Sequence, residues 1–155
     1  MKSIETEYNG ILFRSRLEAR WAILFDALEL KYVYEPECFI LSNGQKYTPD
    51  FYIEKFKLYI EVKPNFEWME NEYHAKRYSL FEENLLILSD SYPCFSTNLL
   101  YEFHDGKKYK NNVIFCPNHK YAPFFYTGCN LGEQDELFVE EYREEILKVK
   151  QYRFY

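Results

Sequence analysis

Apolar and polar positions near the N-terminus predict a short hairpin followed by a helix. Residues 4–13 (IETEYNGILF) surround Asn9-Gly10, a dipeptide typical of two-residue hairpin turns. Ser15 then begins a predicted helix that runs to about Leu30. The apolar positions of this helix recur at helical spacing and predict one buried stripe. Its members are Leu17, Trp21, Leu24, Phe25 and Leu28.

Short extended segments follow this helix. Turn signals lie at Glu35-Pro36 and at Ser42-Asn43-Gly44, and Glu54–Phe56 is a short connector between two of the segments. The two segments beside that connector predict a tight antiparallel hairpin. The predicted strands are Tyr32–Tyr34, Phe39–Leu41, Tyr47–Ile53 and Lys57–Lys63.

A second helix is predicted over residues 68–83, before a continuous apolar run at Leu85–Leu88. Such a run is typical of a buried strand that is reached by a crossover connection. The order of helix, antiparallel strands, helix and strand predicts a mixed sheet with helices packed on it. The candidate apolar positions of the second helix are Met69, Tyr73, Leu80 and Phe81.

The pattern after Asp90 is weaker. Val113–Phe115 predicts a strand, residues 116–132 predict an irregular loop, and a last helix is predicted from Glu133 to about Lys150. We expect a single domain over 1–155, with its core at about 8–115 and a C-terminal loop and helix at 116–155. The apolar side of the last helix is formed by Phe138, Tyr142, Ile146 and Val149.

Composition predicts a folded protein, since 47% of the residues are apolar and no low-complexity tract occurs. The 16 Tyr, 14 Phe and 2 Trp favour a bulky aromatic core over a platform for stacked bases. A net charge of −6 argues against a large sequence-independent DNA footprint. It does not exclude a nuclease, because a carboxylate-rich metal site itself adds negative charge. No signal peptide or membrane-spanning run is visible, so a cytoplasmic, soluble protein is expected.

The hairpin at 47–63 carries the candidate chemistry. Strand alternation assigns positions 58, 60 and 62 to the core and places Glu61 and Lys63 together on the opposite face. Asp50, which follows Pro49 on the partner strand, lies near the same end of the hairpin. Mg²⁺ takes hard oxygen ligands of this kind and also binds substrate phosphate. A lysine nearby can orient the attacking water or offset charge in the transition state.

Pro49-Asp50 followed by Glu61-Val62-Lys63 resembles the PD-(D/E)xK motif of the restriction-endonuclease-like superfamily. Phe13–Ala22 (FRSRLEARWA) is similar to the first helix of small phage and prophage nucleases in that group. The resemblance covers roughly residues 8–90. It implies an α/β fold of the α+β kind, in which a central mixed β-sheet is flanked by helices in the order α-β-β-β-α-β, here with a C-terminal helix.

The resemblance also implies roles for the site residues. Asp50 and Glu61 would ligate Mg²⁺ or Mn²⁺, with the Val62 backbone carbonyl as a third oxygen. Lys63 would position or activate the attacking water. Pro64 departs from the pattern, since many relatives have a small or polar residue there, and we expect it to end the strand.

Two roles stay open for Glu18. The resemblance implies a ligand of the metal or of its water shell, delivered by the first helix. Ser15 and Glu18 also fit a capping box, in which Glu18 would only stabilise the helix start. We favour the catalytic role because Glu18 borders the buried stripe, where an unpaired carboxylate is costly.

Basic residues near the proposed site are candidates for phosphate contacts, although a solvated helix face explains each of them about as well. Arg14, Arg16 and Arg20 crowd the start of the first helix, and Lys76 and Arg77 lie on the second. A predicted later loop adds Lys107, Lys108 and Lys110.

The four cysteines fit reduced thiols in a cytosolic protein. Cys116, His119 and Cys129, with Cys94 as a fourth ligand, suggest a structural zinc site. Buried thiols and an incidental histidine are favoured instead, because the chain lacks a paired CxxC. Cys38 is the remaining cysteine.

The leading hypothesis is a metal-dependent endonuclease that hydrolyses DNA phosphodiester bonds, and the resemblance implies that cleavage leaves 5′-phosphate ends. By the resemblance it is phage-encoded and acts in a bacterial host, in DNA repair or recombination, host DNA degradation or counter-defence. DNA is the expected partner, a homodimer stays open, and no membrane is expected. The alternative is a non-catalytic nuclease-fold protein that binds or inhibits a host protein or nucleic acid.

Overall fold

A computed structural model describes residues 3–64, 71–89, 98–115, 124–126 and 143–154. The helices in these ranges are α1 (Arg16–Ala27), α2 (Glu72–Leu80) and α3 (Arg143–Gln151). The strands are β1 (Thr6–Tyr8), β2 (Ile11–Phe13), β3 (Val33–Tyr34), β4 (Phe39–Ile40), β5 (Lys46–Tyr47), β6 (Phe51–Ile53), β7 (Leu58–Lys63), β8 (Leu85–Ser89), β9 (Asn98–His104), β10 (Lys107–Phe115) and β11 (Phe124–Tyr126).

The predicted N-terminal hairpin is confirmed. β1 and β2 pair antiparallel, and the two turn residues Asn9 and Gly10 both have positive φ, at 50° and 78°. That backbone matches the right-handed twist of the flanking strands and suits an Asn-Gly pair.

Helix α1 begins as predicted and ends earlier than predicted. Ser15 is its N-cap, and the Ser15 Oγ accepts a hydrogen bond from the Glu18 backbone N–H at 3.1 Å. At the other end Glu29 adopts a left-handed conformation with φ 58°, and the Leu30 N–H donates to the Phe25 carbonyl. This is a Schellman-type end, which usually carries glycine. With glutamate in that position the sequence contains no stop signal, so the end predicted at Leu30 lies three residues too late.

The main sheet is mixed and has seven strands in the described residues, in the order β11-β10-β9-β8-β7-β6-β3. β7 and β8 run parallel and are connected through the segment that contains α2, whereas the other neighbours run antiparallel. The prediction of a mixed sheet with a crossover before Leu85–Leu88 is confirmed.

The predicted strand Tyr47–Ile53 is divided in two. β5 ends at Tyr47 and pairs with β4, while β6 begins at Phe51 and pairs with β7. Pro49 lies in the break, where its missing N–H interrupts no ladder. The β6–β7 connection is a 3₁₀ turn at Glu54–Phe56.

Helix α2 is shorter than predicted, and one of its predicted core positions is wrong. Within 71–89 it covers Glu72–Leu80, while Met69 lies outside the described residues. Tyr73 is 61% exposed, and Tyr78 is the fully buried aromatic of this helix. A helical segment of nine residues offers too few turns for periodicity alone to identify its inner face.

The C-terminal strands were largely missed. β9 and β10 form a long hairpin through Asp105-Gly106, both with positive φ, although an Asp-Gly pair is a hairpin signal. Lys107, Lys108 and Lys110 therefore lie on a strand and not in a loop.

The loop predicted over residues 116–132 contains β11, and its other residues lie outside the described part. Phe138 and Tyr142 of the predicted last helix also lie outside the described residues. The described portion of that helix is α3, in which Val149 is buried.

Both faces of the sheet are covered. On one face α1, with α3 packed beside it, forms a core with the inward residues of β7, among them Ile60, and Val149 of α3 belongs to the same core. On the other face β5 and α2 contribute Tyr47 and Tyr78 to a second core. The alternating residues of β8 enter the two cores in turn, which explains its unbroken apolar run. Among the described residues no helix has the length and apolar character needed to cross a membrane.

Lys108 of β10 contacts the chain just after α2, and the contribution of this contact to stability can be tested. Its ammonium donates to the carbonyl oxygens of Phe81 and Glu83. Lys108→Met keeps the apolar stem but leaves both carbonyls without this donor, so we expect a loss of about 1 kcal/mol and a melting temperature lower by roughly 2–4 °C. The matched control Lys107→Met, at an exposed position, should melt like the wild type. Equal melting of the two variants would show that this contact adds no stability.

Candidate active site

Glu61 and Lys63 lie on the same face of β7, as predicted from strand alternation. The Lys63 Nζ lies 3.3 Å from the Glu61 Oε1. Glu61 is only 4% exposed, because the second core covers the face that it occupies. The carboxylate is therefore a buried ionisable group, and its charge requires nearby compensation.

Two groups from other elements also contact Glu61. The Tyr47 hydroxyl donates to the Glu61 Oε2 at 2.7 Å, and the Arg77 Nη2 lies 3.7 Å from the Glu61 Oε1. Burial raises the pKa of the Glu61 carboxyl. The charge of Lys63, the Tyr47 hydrogen bond and the charge of Arg77 oppose this rise.

Asp50 lies against the same segment of β7. Its Oδ2 accepts a hydrogen bond from the Val62 backbone N–H at 2.8 Å. The residue keeps some solvent exposure, yet burial of its carboxyl is the main cause that raises the pKa of Asp50 well above its usual value. The charges of Glu61 and then Glu18 raise that pKa further, which shows that three acidic groups converge here.

Glu18 lies at the helix cap and also close to Asp50. Its backbone N–H completes the helix cap with Ser15. Its buried carboxylate, whose residue is 7% exposed, accepts from the Ser15 Oγ at 3.1 Å and from the Tyr34 Oη at 3.2 Å. A hydrogen bond with Glu18 also raises the pKa of Asp50. The Glu18 carboxylate thus contacts the cap residue Ser15 and also lies close to Asp50.

Asp50 and Glu61 are the residues of this cluster that could hold a divalent cation. Hard oxygen donors from two carboxylates suit Mg²⁺, which keeps several of its waters. Burial is the main cause that raises the pKa values of Asp50 and Glu61, and a bound cation would favour their charged forms. Within the described ranges no group of three or more His, Cys, Asp or Glu side chains is arranged to hold a metal ion by itself.

The basic candidates fall into two groups. Arg14, Arg16 and Lys76 are exposed and Arg20 is partly exposed, and the Arg14 guanidinium pairs with Glu35. Arg77 instead points inward to Glu61. Contacts of any of the five with nucleic acid stay a prediction. Of the zinc candidates, Cys94, Cys116, His119 and Cys129 lie outside the described residues, while Cys38 is exposed with a free thiol.

Sequence reasoning missed the aromatic and cationic partners of the carboxylates. Tyr34 and Tyr47 each donate to a candidate carboxylate, and Arg77 was expected to face a phosphate rather than Glu61. His74 also borders the site, since burial and then the charges of Lys63 and Arg77 lower its pKa to about 4. Tyr47 lies only three residues before Asp50, but neither Tyr47 nor His74 belongs to the motif, so the motif pattern gives no signal for these contacts.

Asp50→Asn should stabilise the protein when no divalent cation is present. The folded-state pKa of Asp50 lies above its unfolded value, so its contribution to stability is present at low pH and is lost as the pH rises through the folded pKa. Asparagine still accepts from the Val62 N–H and carries no charge. At pH 8 we expect a melting temperature higher than that of the wild type by roughly 2–4 °C, or about 1 kcal/mol.

The gain of Asp50→Asn should shrink at lower pH and on addition of Mg²⁺ to the wild type. Thermal melts at two pH values, with and without Mg²⁺, measure all of these differences. A variant that melts earlier than the wild type under every condition would show that the charge of Asp50 is structural.

The geometry thus brings Glu18, Asp50, Glu61 and Lys63 to one end of the β6–β7 hairpin, beside the start of α1. Comparison of the chain with protein-family models and with curated proteins gives no match.

Proposed function

We propose that this protein is a Mg²⁺-dependent hydrolase that cleaves DNA phosphodiester bonds and has a restriction-endonuclease-like core. One observation carries the proposal. The carboxylates of Asp50, just before β6, of Glu61 on β7 and of Glu18 on α1 converge beside the partly buried Lys63. Such a cluster is costly for a fold to keep without a function, because like charges in a desolvated site destabilise it.

Each residue has a role in this proposal. Asp50 and Glu61 would hold Mg²⁺ or Mn²⁺, which when bound supplies Lewis-acid stabilisation to the phosphoryl oxygens. The Lys63 ammonium would orient the attacking water and offset the charge that develops on the phosphate. Glu18 would add a hydrogen-bond acceptor for that water from the other side of the site.

The order of elements supports the core that the proposal assumes. The helix α1 precedes the antiparallel β3, β6 and β7, and α2 precedes β8, which is parallel to β7. The motif residues then lie where β6 begins and β7 ends. Asp50 and Lys63 keep partial solvent exposure at that position.

A non-catalytic nuclease-fold protein that binds or inhibits a host partner is the second candidate. The net charge of −6 favours it, since DNA is repelled by an acidic surface. The presence of all four site residues favours the enzyme.

A cleavage screen tests the proposal. Supercoiled plasmid, linear duplex, branched junctions and single strands are each incubated with Mg²⁺, Mn²⁺, Ca²⁺ or chelator. We expect at least one of these DNA forms to be cleaved with Mg²⁺ or Mn²⁺ and none with chelator. Absence of cleavage on every form, together with no measurable Mn²⁺ binding by calorimetry, would support the non-catalytic candidate.

A further inference from the structure

The two oxygens of Glu61 have separate partners. Oε1 faces the two cations, at 3.3 Å from the Lys63 Nζ and 3.7 Å from the Arg77 Nη2. Oε2 accepts from the Tyr47 Oη at 2.7 Å. A carboxylate held at both ends in this way has little freedom to rotate.

Tyr47 is itself firmly placed. It is 2% exposed, and its ring packs edge-on against Phe81 at 5.2 Å between centroids and tilted against Tyr78 at 6.1 Å. Its hydroxyl is therefore presented to Glu61 by a ring that the second core immobilises. β5, which carries Tyr47, belongs to a small hairpin outside the main sheet.

Arg77 is held by the same aromatic group. Its guanidinium carbon lies 4.6 Å from the centroid of the Tyr47 ring, with the rings of Tyr78 at 5.7 Å and Tyr73 at 5.8 Å. Its side chain is 17% exposed, so these cation–π contacts act in a largely desolvated place, where they are strongest. Tyr47 thus contacts Glu61 directly and also supports the cation that contacts Glu61.

We infer that Tyr47 and Arg77 are positioning residues, which hold the Glu61 carboxylate in one orientation for the bound cation; the inference rests on the proposed function of this site. We call this pair the Tyr47–Arg77 clamp. It lies outside the PD-(D/E)xK motif and comes from β5 and α2, two elements that do not adjoin β7 in the sheet.

A fixed orientation of the Glu61 carboxylate would favour cation binding. Divalent cations require ligand oxygens at fixed positions, and groups that orient a ligand by hydrogen bonds contribute strongly to affinity. Each carboxylate oxygen has two lone pairs, so the Tyr47 hydrogen bond still leaves one on Oε2 for a cation. If the Glu61 carboxylate rotated freely, it would also lose its contact with Lys63. The positions of both the Glu61 carboxylate and the Lys63 ammonium would then be less well defined.

Tyr47→Phe removes the hydroxyl and keeps the ring that supports Arg77. In this variant we expect the Mn²⁺ affinity measured by calorimetry to fall by about 10–100-fold, the usual effect of removing an orienting partner of a ligand. Cleavage should fall along with affinity and recover in part at high Mn²⁺. Tyr59→Phe is the matched control, because it removes a hydroxyl on β7 that donates to Glu37 and not to Glu61.

A second measurement does not depend on metal or activity. In metal-free protein labelled with ¹³C at the glutamate carboxyl, the Glu61 resonance should be single in the wild type and in Tyr59→Phe. In Tyr47→Phe it should shift and broaden as the carboxylate samples further rotamers. An unchanged Glu61 resonance in Tyr47→Phe would overturn the clamp, whatever the cleavage assays show.

Arg77→Met provides a variant with an intact Tyr47, in case Tyr47→Phe does not fold. It keeps an apolar stem among the rings and removes the charge, so the same loss of Mn²⁺ affinity and the same Glu61 broadening are expected. Arg77→Lys keeps the charge without the planar face and should recover only part of the affinity. Failure of the proposed function would look different, since the wild type itself would then neither bind Mn²⁺ nor cleave DNA.

Discussion

Lys63→Ala should abolish DNA cleavage and leave the affinity for Mn²⁺ largely intact. An ammonium cannot ligate a cation, so removing the Lys63 Nζ from its position 3.3 Å from Glu61 takes away no metal ligand. The expected loss of turnover is at least about 10²–10³-fold, the range for a lost electrostatic or proton-transfer group. Plasmid nicking and calorimetry on the same preparation separate the two effects.

The carboxylate variants provide the contrast. Asp50→Ala and Glu61→Ala should weaken both Mn²⁺ binding and cleavage, because each removes a proposed ligand. Lys57→Ala, at an exposed position of the same hairpin connection, is the control for loss of a lysine and should change neither. If metal affinity were lost with Lys63 and kept without Asp50, the assignment of ligand and lysine roles would be reversed.

Glu18→Gln should reduce turnover on the order of a hundredfold while the melting temperature stays nearly unchanged. Glutamine keeps a carbonyl oxygen that accepts from the Ser15 hydroxyl and from Tyr34. The cap itself uses the Glu18 backbone N–H, which the substitution does not alter. Only the charge of Glu18 is lost, so the change in turnover measures how much that charge contributes to the reaction.

Ser15→Ala is the matched variant, because it alters the helix cap and leaves the Glu18 charge in place. It removes the N-cap acceptor and keeps the Glu18 charge, so stability should fall by about 1 kcal/mol, or roughly 2–4 °C, with most of the activity retained. Early melting of Glu18→Gln with full activity in the folded fraction would instead make Glu18 a capping residue only. The candidate site would then consist of Asp50, Glu61 and Lys63.

Local signals predicted the N-terminal half of the fold well. The Asn9-Gly10 turn, the Ser15 cap and the alternation of β7 each depend on residues close together in the chain. The end of α1 escaped prediction because Glu29 occupies a left-handed position that glycine usually fills. The β9–β10 hairpin was missed although Asp105-Gly106 marks its turn, since its strand residues lack a clear apolar alternation.

The sequence by itself determined that Glu61 and Lys63 share one face of a strand, because the period of two along β7 leaves no other arrangement. Only the tertiary structure decided that this face is buried. The covering residues Tyr47 and Arg77 come from β5 and α2, and no local pattern specifies which of two sheet faces such elements will cover. Burial then sets the electrostatics of the site, since a carboxylate in a desolvated place has a raised pKa and needs fixed partners. The sequence thus identifies the motif residues, whereas the packing of other elements around them determines their charge environment.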